Sequence, residues 1–565
     1  MDIVTMNILE STMVSLCREM GIVLMKTSYS TIFNEALDFT CGLADMNGDM
    51  IAVADYCPAQ IGGMPLLVKS CLKEIPIGEI EEGDVILHND PYRGGLHTPE
   101  HTFFKPIFVE GEIMGFAVAI GHIAEVGGMA PGGFCGEATE IFQEGLRVPP
   151  VKIKKRGQDN IEVWKLLLAN VRTPRVNYGD LRALIAAVDL GEKQMTQIYK
   201  KYGKAKMRET VADLLLYSER RMRAELEAIP DGIYPFTDYV ESDGIDPDRK
   251  YAINVEVHKR GGEIIVDYAG SSPQAAGPIN ATLGVATSAA YNAVLHMTDP
   301  SIPRNSGCFR PIRVMAPPGT IVNVDFPAPE VGGNTETHPR IVGAILGAMA
   351  KALPHRTMAA EGATHCNFVF GGVEADTGEF FACYDLEAVG WGGRSFADGN
   401  DGVDSINGNC RITPVEVYET RFPWRIESLA FNTDAGGAGK FRGGVGYTKQ
   451  MLCLNDQIIC SQMTDRHLFA AWGLEGGQEG GLGATLVQKA GRDDWQTMRE
   501  AYNKASTSRY SNVAIKHGDR VRLVTPGGGG HGDPSERDRD AIAEDVKEGY
   551  VSAEAARKFY GYEAH

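Results

Sequence analysis

Long hydrophobic runs are missing from this sequence of 565 residues. No stretch approaches the roughly 18 consecutive apolar residues that a membrane-spanning helix needs. Residues 1–30 include Asp2, Glu10, Arg18 and Lys26, with no basic segment leading into an apolar one, so no secretory signal peptide is predicted. We therefore expect a cytoplasmic protein without a membrane partner.

Cysteine pairs are also missing. The 11 cysteines are an odd number, scattered from Cys17 to Cys460 without any C-x-x-C pair. A disulfide framework or a zinc finger would need regular spacing, so neither is predicted. We expect reduced and mostly structural thiols, as in a cytosolic enzyme.

Basic residues are too few for a nucleic-acid-binding protein. The 55 Lys and Arg residues stand against 74 Asp and Glu residues, which gives a net charge of −19. Only two short basic runs occur, at 152–156 and 200–208. A chain of this charge repels nucleic acid and anionic membranes, so neither is expected as a partner.

Nucleotide-binding motifs are missing as well. The segment AGGAGKFRGG at 435–444 carries Phe441 where a P-loop has Ser or Thr after its lysine. No Rossmann G-x-G-x-x-G follows a predicted strand. If the reaction consumes ATP, we expect the ATP site to lie on another chain.

The segment 89–128 contains a concentration of metal-binding side chains. Turn signals at 89–91 and 94–95 predict a loop that bears His97 and Glu100. Two strands are predicted at 107–110 and 113–120, joined by a turn at Gly111.

His122 follows the second of these strands, and the hairpin would fold it back towards the loop with His97 and Glu100. Two imidazoles and one carboxylate with open positions suit zinc, manganese or iron(II). His101 and Glu125 are spare candidates. For each of these residues the alternative is an ordinary surface or hydrogen-bonded role.

The chain is too long for one hydrophobic core. Helical periodicity marks 4–28 and 65–75, and again 163–168, 180–190 and 207–228, whereas strands dominate from residue 234. We predict an α+β, multi-domain fold: a mixed α/β metal-binding part with a helical segment at 1–230, then a strand-rich, glycine-rich domain at 231–565.

Glycine is abundant, with 66 residues, and is interpreted as punctuation between strands. The loop 129–133 follows the His122 hairpin and is expected to form a wall of the pocket. The four consecutive glycines at 527–530 predict either a flexible connector or a loop bound against another subunit.

A series of short motifs extends over nearly the whole chain: EALDF (35–39), NDPYRGGLHTPE (89–100), EVGGMAPG (125–132), EIFQEGLRVPPVK (140–152), LANVRTPRVNYGDLRAL (168–184), SSPQAAGPINAT (271–282), NSGCFRPI (305–312), WGGR (391–394), GGAGKFRGG (436–444), DRH (465–467) and TPGGGGHGDP (525–534). In these motifs and their order the chain resembles the hydantoinase B/oxoprolinase family.

The resemblance implies a hetero-oligomer. In such systems a hydantoinase A-type, actin-like ATPase subunit phosphorylates the carbonyl oxygen of a small-molecule substrate, and the present type of subunit completes the reaction at a divalent transition metal (Zn, Mn or Fe). Activities of the family include ATP-dependent ring opening of hydantoins, 5-oxoproline and lactams, and carboxylation of ketones by acetone and acetophenone carboxylases.

Carried over position by position, the resemblance implies Asp38, His97, Glu100 and His122 as metal ligands. From the local sequence alone, Asp38 is a turn or cap residue at the entry to a hairpin around Asn47-Gly48. The family usually has Asp at the position of Glu100 and a second His at the position of Ile123. The longer side chain of Glu100 is expected to affect where the metal lies and which metal binds. Ile123 leaves the site with one potential polar group fewer.

The first hypothesis is therefore a subunit of an ATP-dependent cyclic amidohydrolase, favoured by the compact length of the chain. The alternatives are a subunit of an ATP-dependent ketone carboxylase and a metal-free scaffold. Asp385, Arg394, His338 and His467 are further candidates for contact with substrate or another subunit, with a structural role as the alternative for each.

Overall fold

The computed structural model describes residues 2–375 and 377–563. These residues form thirteen α-helices and twenty strands, and the strands assemble into four sheets. The α+β class predicted from the sequence is confirmed. Within the same residues, no helix is both long and apolar enough to cross a membrane.

The first sheet is antiparallel throughout and has the spatial order β2-β1-β5-β4-β3-β6-β7. Its strands are β1 (Phe39–Asp45), β2 (Met50–Val53), β3 (Val85–His88), β4 (Glu100–Val109), β5 (Glu112–His122), β6 (Val151–Lys155) and β7 (Gln158–Asp159). The helices of this region are α1 (Ile3–Thr27), α2 (Thr31–Asn34), α3 (Pro58–Glu74), α4 (Ile161–Ala169), α5 (Pro174–Tyr202) and α6 (Lys204–Glu227).

The two faces of this sheet pack against different helices, because side chains alternate along each strand. On β4, Phe103 belongs to the core that contains Leu184 of α5, whereas Phe104 belongs to the core that contains Met64 of α3. Even-numbered residues of β4, and those of β5 from Phe116 onwards, therefore face α3. Glu100 and His122 are both even-numbered.

The central hairpin is longer than predicted. β4 begins at Glu100 instead of 107, and β5 extends to His122. Pro106 argues against an interior strand, but here β4 tolerates it beside a register shift at Ile107/Phe108. Glu100 is therefore a strand residue and not part of the loop, and His122 ends its strand instead of following it.

The helix predicted at 65–75 is α3, which begins seven residues earlier, at Pro58. The sequence favours a start at Pro65 because proline is common in the first turn of a helix. In the structure Pro58 occupies that first turn and Pro65 lies inside the helix. The earlier start brings Gln60 into the helix, on the side of the first sheet.

The second sheet has the order β11-β10-β9-β8, with only the β10–β11 pair parallel. It consists of β8 (Gly232–Glu241), β9 (Lys250–Arg260), β10 (Glu263–Asp267) and β11 (Ile312–Met315), and its region contains the helices α7 (Leu283–Met297), α8 (Ser306–Phe309) and α9 (Thr337–Met349). The predicted boundary at 230 lies between α6 and β8. One hydrophobic cluster nevertheless includes residues from both sides of it, among them Val118 and Val285.

Two further sheets follow. One has the order β13-β12-β16-β19, and the other has the order β14-β15-β20-β17-β18. Their strands are β12 (Asn367–Val373), β13 (Phe380–Asp385), β14 (Trp424–Phe431), β15 (Tyr447–Cys453), β16 (Gln457–Met463), β17 (Ala484–Gln488), β18 (Gln496–Thr497), β19 (Arg509–Lys516) and β20 (Arg520–Val524). The remaining helices are α10 (Val415–Arg421), α11 (Met498–Tyr502), α12 (Arg539–Lys547) and α13 (Ala553–Tyr560).

The glycines at 527–530 are neither a flexible connector nor free to bind another subunit. They lie in a set of packed segments that we call the glycine array and define as residues 359–362, 390–393, 399–402, 435–446, 471–483 and 526–532. Main-chain hydrogen bonds join these segments, for example Gly528 N to Gly444 O (2.9 Å) and Gly529 N to Ala360 O (2.8 Å). A Cβ on Gly443 would lie 1.9 Å from Gly528 O. Glycine is therefore a packing residue here, because only a bare backbone permits this approach.

Candidate metal centre

The fold brings the four predicted ligands together. Asp38 directly precedes β1, His97 lies in the loop before β4, and Glu100 and His122 face each other across the β4–β5 ladder. The main chain tightens the cluster, since the His122 amide donates to the Asp38 carbonyl at 3.1 Å. All four residues are buried, with Asp38 the most exposed at 7%.

One side-chain amide bridges the two carboxylates of this set. Gln60 Nε2 donates to Asp38 Oδ1 at 2.9 Å and to Glu100 Oε1 at 3.2 Å. His97 Nε2 lies 3.6 Å from Glu100 Oε1. The ring centroids of His97 and His122 are 5.1 Å apart. Two imidazoles that bind one tetrahedral metal at about 2.0 Å place their ring centres about 5 Å apart, so this spacing is compatible with a shared ion.

Unpartnered polar atoms supply the chemical test of the site. His97 Nδ1 faces the Val331 carbonyl at 3.1 Å and must carry its proton there, which leaves a lone pair on Nε2. His97 Nε2, Glu100 Oε2 and both ring nitrogens of His122 are buried without a hydrogen-bond partner. Such orphaned atoms are costly unless a ligand satisfies them. A histidine whose second nitrogen binds a carbonyl is typical of metal sites.

The geometry is nevertheless not that of a closed coordination shell. In the part of the chain that the structure describes, no group of three or more His, Cys, Asp or Glu side chains is arranged to hold a metal ion. The Gln60 amide bridges the two carboxylates, and its own Oε1 is buried without a partner. The donor atoms are of the types that bind a transition metal. Around the Gln60 amide, however, three of these donors do not converge on one point.

Aromatic rings wall the cluster. Tyr384 stacks on His122 with ring centroids 4.0 Å apart, and Phe134 contacts both His97 and His122 at 5.8 and 5.6 Å. Phe134 directly follows the glycine-rich loop 129–133. This apolar burial lowers the pKa of His122 well below its ordinary value, with His97 adding to the effect. Burial and then the nearby Glu100 raise the pKa of Asp38 to about 7.

One of the four substrate candidates reaches this cluster. Asn334 Nδ2 donates to Glu100 Oε1 at 3.2 Å, while its Oδ1 lies 3.3 Å from His338 Nδ1. His338 is fully buried, its Nε2 has no partner, and burial lowers its pKa to about 3. His338 is therefore a neutral base two contacts away from Glu100.

The other three candidates have partners elsewhere. Asp385 is ion-paired with the buried Lys449 at 2.7 Å. Arg394 Nη2 donates to the Asp398 carbonyl and to Asn400 Oδ1. The main-chain amide of His467 donates to Glu241 at 3.1 Å.

The spare candidates lie on the opposite face of the hairpin or beyond it. His101 is turned away from Glu100 by strand alternation, and its Nδ1 lies 3.1 Å from the Pro99 carbonyl. Glu125 accepts from the amides of Gly127 and Gly132 at 2.6 and 2.7 Å and holds the glycine-rich loop. Ile123 is packed in the hydrophobic core.

Three residues of the cluster are missed by sequence reasoning: Gln60, Asn334 and Tyr384. Gln60 is missed because the predicted start of α3 is too late. Asn334 lies in VGGNTETHPR, where polar residues after two glycines are a usable signal. Tyr384 is far from the ligands in sequence and is one of 20 tyrosines, so no local signal could single it out.

Fold and site together define a mixed α/β, multi-sheet protein with a buried histidine–carboxylate pocket. The chain belongs to the hydantoinase B/oxoprolinase family, whose model matches residues 2–534. It is 32% identical to the B-type subunit of a putative D-/L-hydantoinase from a Pseudomonas species, over 99% of this chain and 95% of that protein. Other relatives include a protein named 5-oxoprolinase from Dictyostelium discoideum, 29% identical over 94% of this chain and 40% of that protein.

Two solved structures share the fold. The ATP-dependent caprolactamase of Pseudomonas jessenii matches with a TM-score of 0.91 at 29% identity, over 100% of this chain and 97% of that chain. Its beta subunit is 32% identical in a sequence comparison covering 99% of this chain and 96% of that protein. An acetone carboxylase structure matches with a TM-score of 0.90 over 99% of this chain and 79% of that chain, but at 20% identity this likeness concerns the fold alone.

Proposed function

We propose that this chain is the metal-containing subunit of an ATP-dependent cyclic amide hydrolase acting on a hydantoin, an oxoproline or a lactam. The observation that carries the proposal is the burial of Asp38, His97, Glu100 and His122 in one cluster that leaves several nitrogen and oxygen atoms without partners. Burying polar atoms without hydrogen-bond partners costs free energy, and a ligand bound by these residues would remove that cost.

The hydrolase assignment is supported by the relatives. Those named as part of a hydantoinase and of a caprolactamase match nearly the full length of the chain. Both names include a subunit designation, and the sequence has no Walker A or Rossmann motif. We infer that a hydantoinase A-type ATPase subunit phosphorylates the substrate's carbonyl oxygen, which makes an otherwise inert amide carbon open to attack.

The residues of the pocket would hold a divalent transition metal through Asp38, His97, Glu100 and His122. Such a metal supplies Lewis acidity towards a carbonyl or phosphoryl oxygen. The Val331 carbonyl orients His97 so that its Nε2 lone pair is free, and Asn334 holds one oxygen of Glu100.

The surroundings of the ligands would support this chemistry. Phe134 and Tyr384 exclude water from the two imidazoles, and this strengthens electrostatic interactions in the pocket. His338 Nδ1 lies 3.3 Å from Asn334 Oδ1 and so supports the side-chain amide that donates to Glu100.

Co-purification with the ATPase partner tests the proposal. We expect stoichiometric zinc, manganese or iron by elemental analysis, and ATP turnover stimulated by a hydantoin, 5-oxoproline or a lactam without bicarbonate. Turnover that requires a ketone and bicarbonate would assign the chain to a carboxylase instead. Absence of stoichiometric metal from an active complex would reject the metal site, and absence from an inactive one would favour a scaffold.

A further inference from the structure

His365 lies near the candidate metal centre but is not one of the predicted ligands. Its Nδ1 is 2.9 Å from Asp404 Oδ1, and its Nε2 is 3.1 Å from Asn407 Oδ1. All three residues are at most 5% exposed. Both ring nitrogens therefore face oxygen atoms in the protein interior.

The orientation of Asn407 makes these contacts informative. Asn407 Nδ2 donates to the Asn334 carbonyl at 2.9 Å, so rotating the amide would bring two acceptor oxygens together. The oxygen of Asn407 must therefore point to His365, and Nε2 must donate to it. Asp404 accepts from the amides of Ser405 and Cys410 at 2.8 and 2.7 Å, and its carboxylate lies at ion-pair distance from Nδ1, which favours a proton there although the two atoms are not aligned as a hydrogen bond.

These contacts define His365 as an imidazolium. Burial by itself would lower the pKa of His365, but the charge and hydrogen-bonding of Asp404, with the charges of Glu336 and Asp38, together raise it to about 9. The pair with Asp404 carries no net charge. His365 can therefore donate a hydrogen bond from a fixed position without adding a net positive charge. Such a charge would weaken the binding of a nearby cation.

Asn407 links this pair to Glu100 by two routes. The Asn407 side chain donates to the main-chain carbonyl of Asn334. The side-chain amide of Asn334 in turn donates to Glu100. The main-chain carbonyl of Asn407 accepts from the main-chain amide of Ala59 at 3.0 Å. The next residue is Gln60, whose side-chain amide also donates to Glu100. The route through Asn334 depends on the Asn407 side chain that His365 orients, whereas the route through Gln60 depends on the Asn407 main chain.

Strained backbone lies on either side of this chain of contacts. Ala363 and Cys366 flank His365 with φ of 49° and 46°, and Asn409 follows Asn407 with φ of 61°. Left-handed conformations at residues other than glycine are costly and persist where the surrounding structure enforces them. Their clustering indicates that the placement of His365 and Asn407 is enforced by the fold.

We propose that His365, paired with Asp404, is a positioning residue that orients the Glu100 carboxylate through Asn407 and Asn334. The inference rests on the proposed function, because its consequence is the geometry of the metal site. Loss of the His365 donor would release the Asn407 side chain, and with it the Asn334 segment whose side-chain amide holds Glu100.

His365→Ala tests the proposal in the full chain, with Co²⁺ as the probe metal. We expect roughly 10- to 100-fold weaker Co²⁺ binding, as is common when groups behind metal ligands are removed. We also expect a changed visible spectrum of the bound Co²⁺, because the orientation of Glu100 changes. His365→Gln keeps one N–H donor for Asn407 and should restore part of the affinity.

Asp545→Asn is the matched control, because it removes the carboxylate of a buried ion pair with Arg537 (2.7 Å) in the C-terminal region. It should lower stability while leaving the Co²⁺ affinity and spectrum unchanged. If His365→Ala behaves in the same way, the residue is only structural and the proposal is overturned. If His365→Ala does not fold, Asn407→Ala, which keeps the ion pair, is judged by the same two measurements.

Failure of the proposed function would look different. In that case the wild-type chain itself would bind no stoichiometric Co²⁺. A separate measurement concerns the charge of His365 without any metal. Nitrogen-15 NMR of histidine-labelled protein at pH 8 should show one imidazolium ring that is lost in His365→Ala, and its absence from the wild type would also overturn the proposal.

Discussion

Glu100 and His122 stand directly opposite each other at the end of the β4–β5 ladder. Opposed residues on neighbouring strands have Cβ atoms about 5 Å apart, and both side chains point to the same face. The hairpin thus acts as a rigid mount for two of the proposed ligands, which lie 22 positions apart in the sequence (122 − 100).

Glu100→Gln should abolish metal binding while preserving the fold. Gln keeps an oxygen for the amides of Gln60 and Asn334 but removes the negative charge. We expect metal affinity and ATP-coupled ring opening to fall by more than about 100-fold, measured by elemental analysis and product formation. Glu110→Gln, at the exposed turn of the same hairpin, is the control. Equal metal content in the two variants would argue against Glu100 as a ligand.

Asp465→Asn should destabilise the chain strongly. Its two oxygens lie 3.1 Å from Arg340 and 3.3 Å from Arg509, and both guanidinium groups are fully buried. Removal of the carboxylate leaves buried positive charges without their partner, which typically costs about 3–5 kcal/mol. Urea denaturation measures the difference.

The surface pair of Arg492 and Asp494 provides the comparison for Asp465. It has a similar separation of 2.8 Å but is about half exposed. Asp494→Asn should change the unfolding free energy by less than about 1 kcal/mol, because water screens such a pair. Similar losses in both variants would contradict the importance given to burial.

Gly443→Ala should prevent correct packing of the glycine array. The new Cβ would lie 1.9 Å from the Gly528 carbonyl oxygen, which belongs to the backbone and cannot turn aside. We expect aggregation or a loss of more than about 3 kcal/mol. Gly343→Ala is the control, since its Cβ would have nothing within 4 Å and lies in helix α9. That variant should be more stable by up to about 1 kcal/mol. A tolerated Gly443→Ala would show that the array can yield.

Asp180→Asn should change how stability depends on pH. Asp180 accepts from the amides of Tyr29 and Ser30, and burial raises its pKa from 3.8 to about 6. A raised pKa means that the native state holds its proton longer than the unfolded state, so stability falls as pH rises from about 4 to about 6. This cost is absent at lower pH and amounts to about 3 kcal/mol above pH 6.

Asn at position 180 cannot ionise but can still accept from both amides. We therefore expect the stability of Asp180→Asn, relative to wild type, to increase by about 3 kcal/mol between pH 4 and pH 7, measured by urea denaturation at each pH. A constant difference between the two proteins would show that the carboxyl group titrates normally in the folded state.

The sequence by itself determined the broad class and much of the candidate site. Periodicity correctly predicted the opening helix, the dominance of strands after residue 234 and the α+β class. Turn signals and residue types singled out His97, Glu100 and His122 as candidate ligands, and the family motifs added Asp38; their metal binding stays a prediction. These features are local, since each depends on a few neighbouring residues whose preferences the chain states directly.

Only the tertiary structure decided how those side chains are held. Gln60, Asn334 and Tyr384 meet the predicted ligands from distant segments, and no local pattern encodes contacts of that kind. The glycines at 527–530 were open to two interpretations because a bare backbone has no preference of its own. Their role depends on which other main-chain segments lie against them, and the packing of the folded chain decides which segments these are.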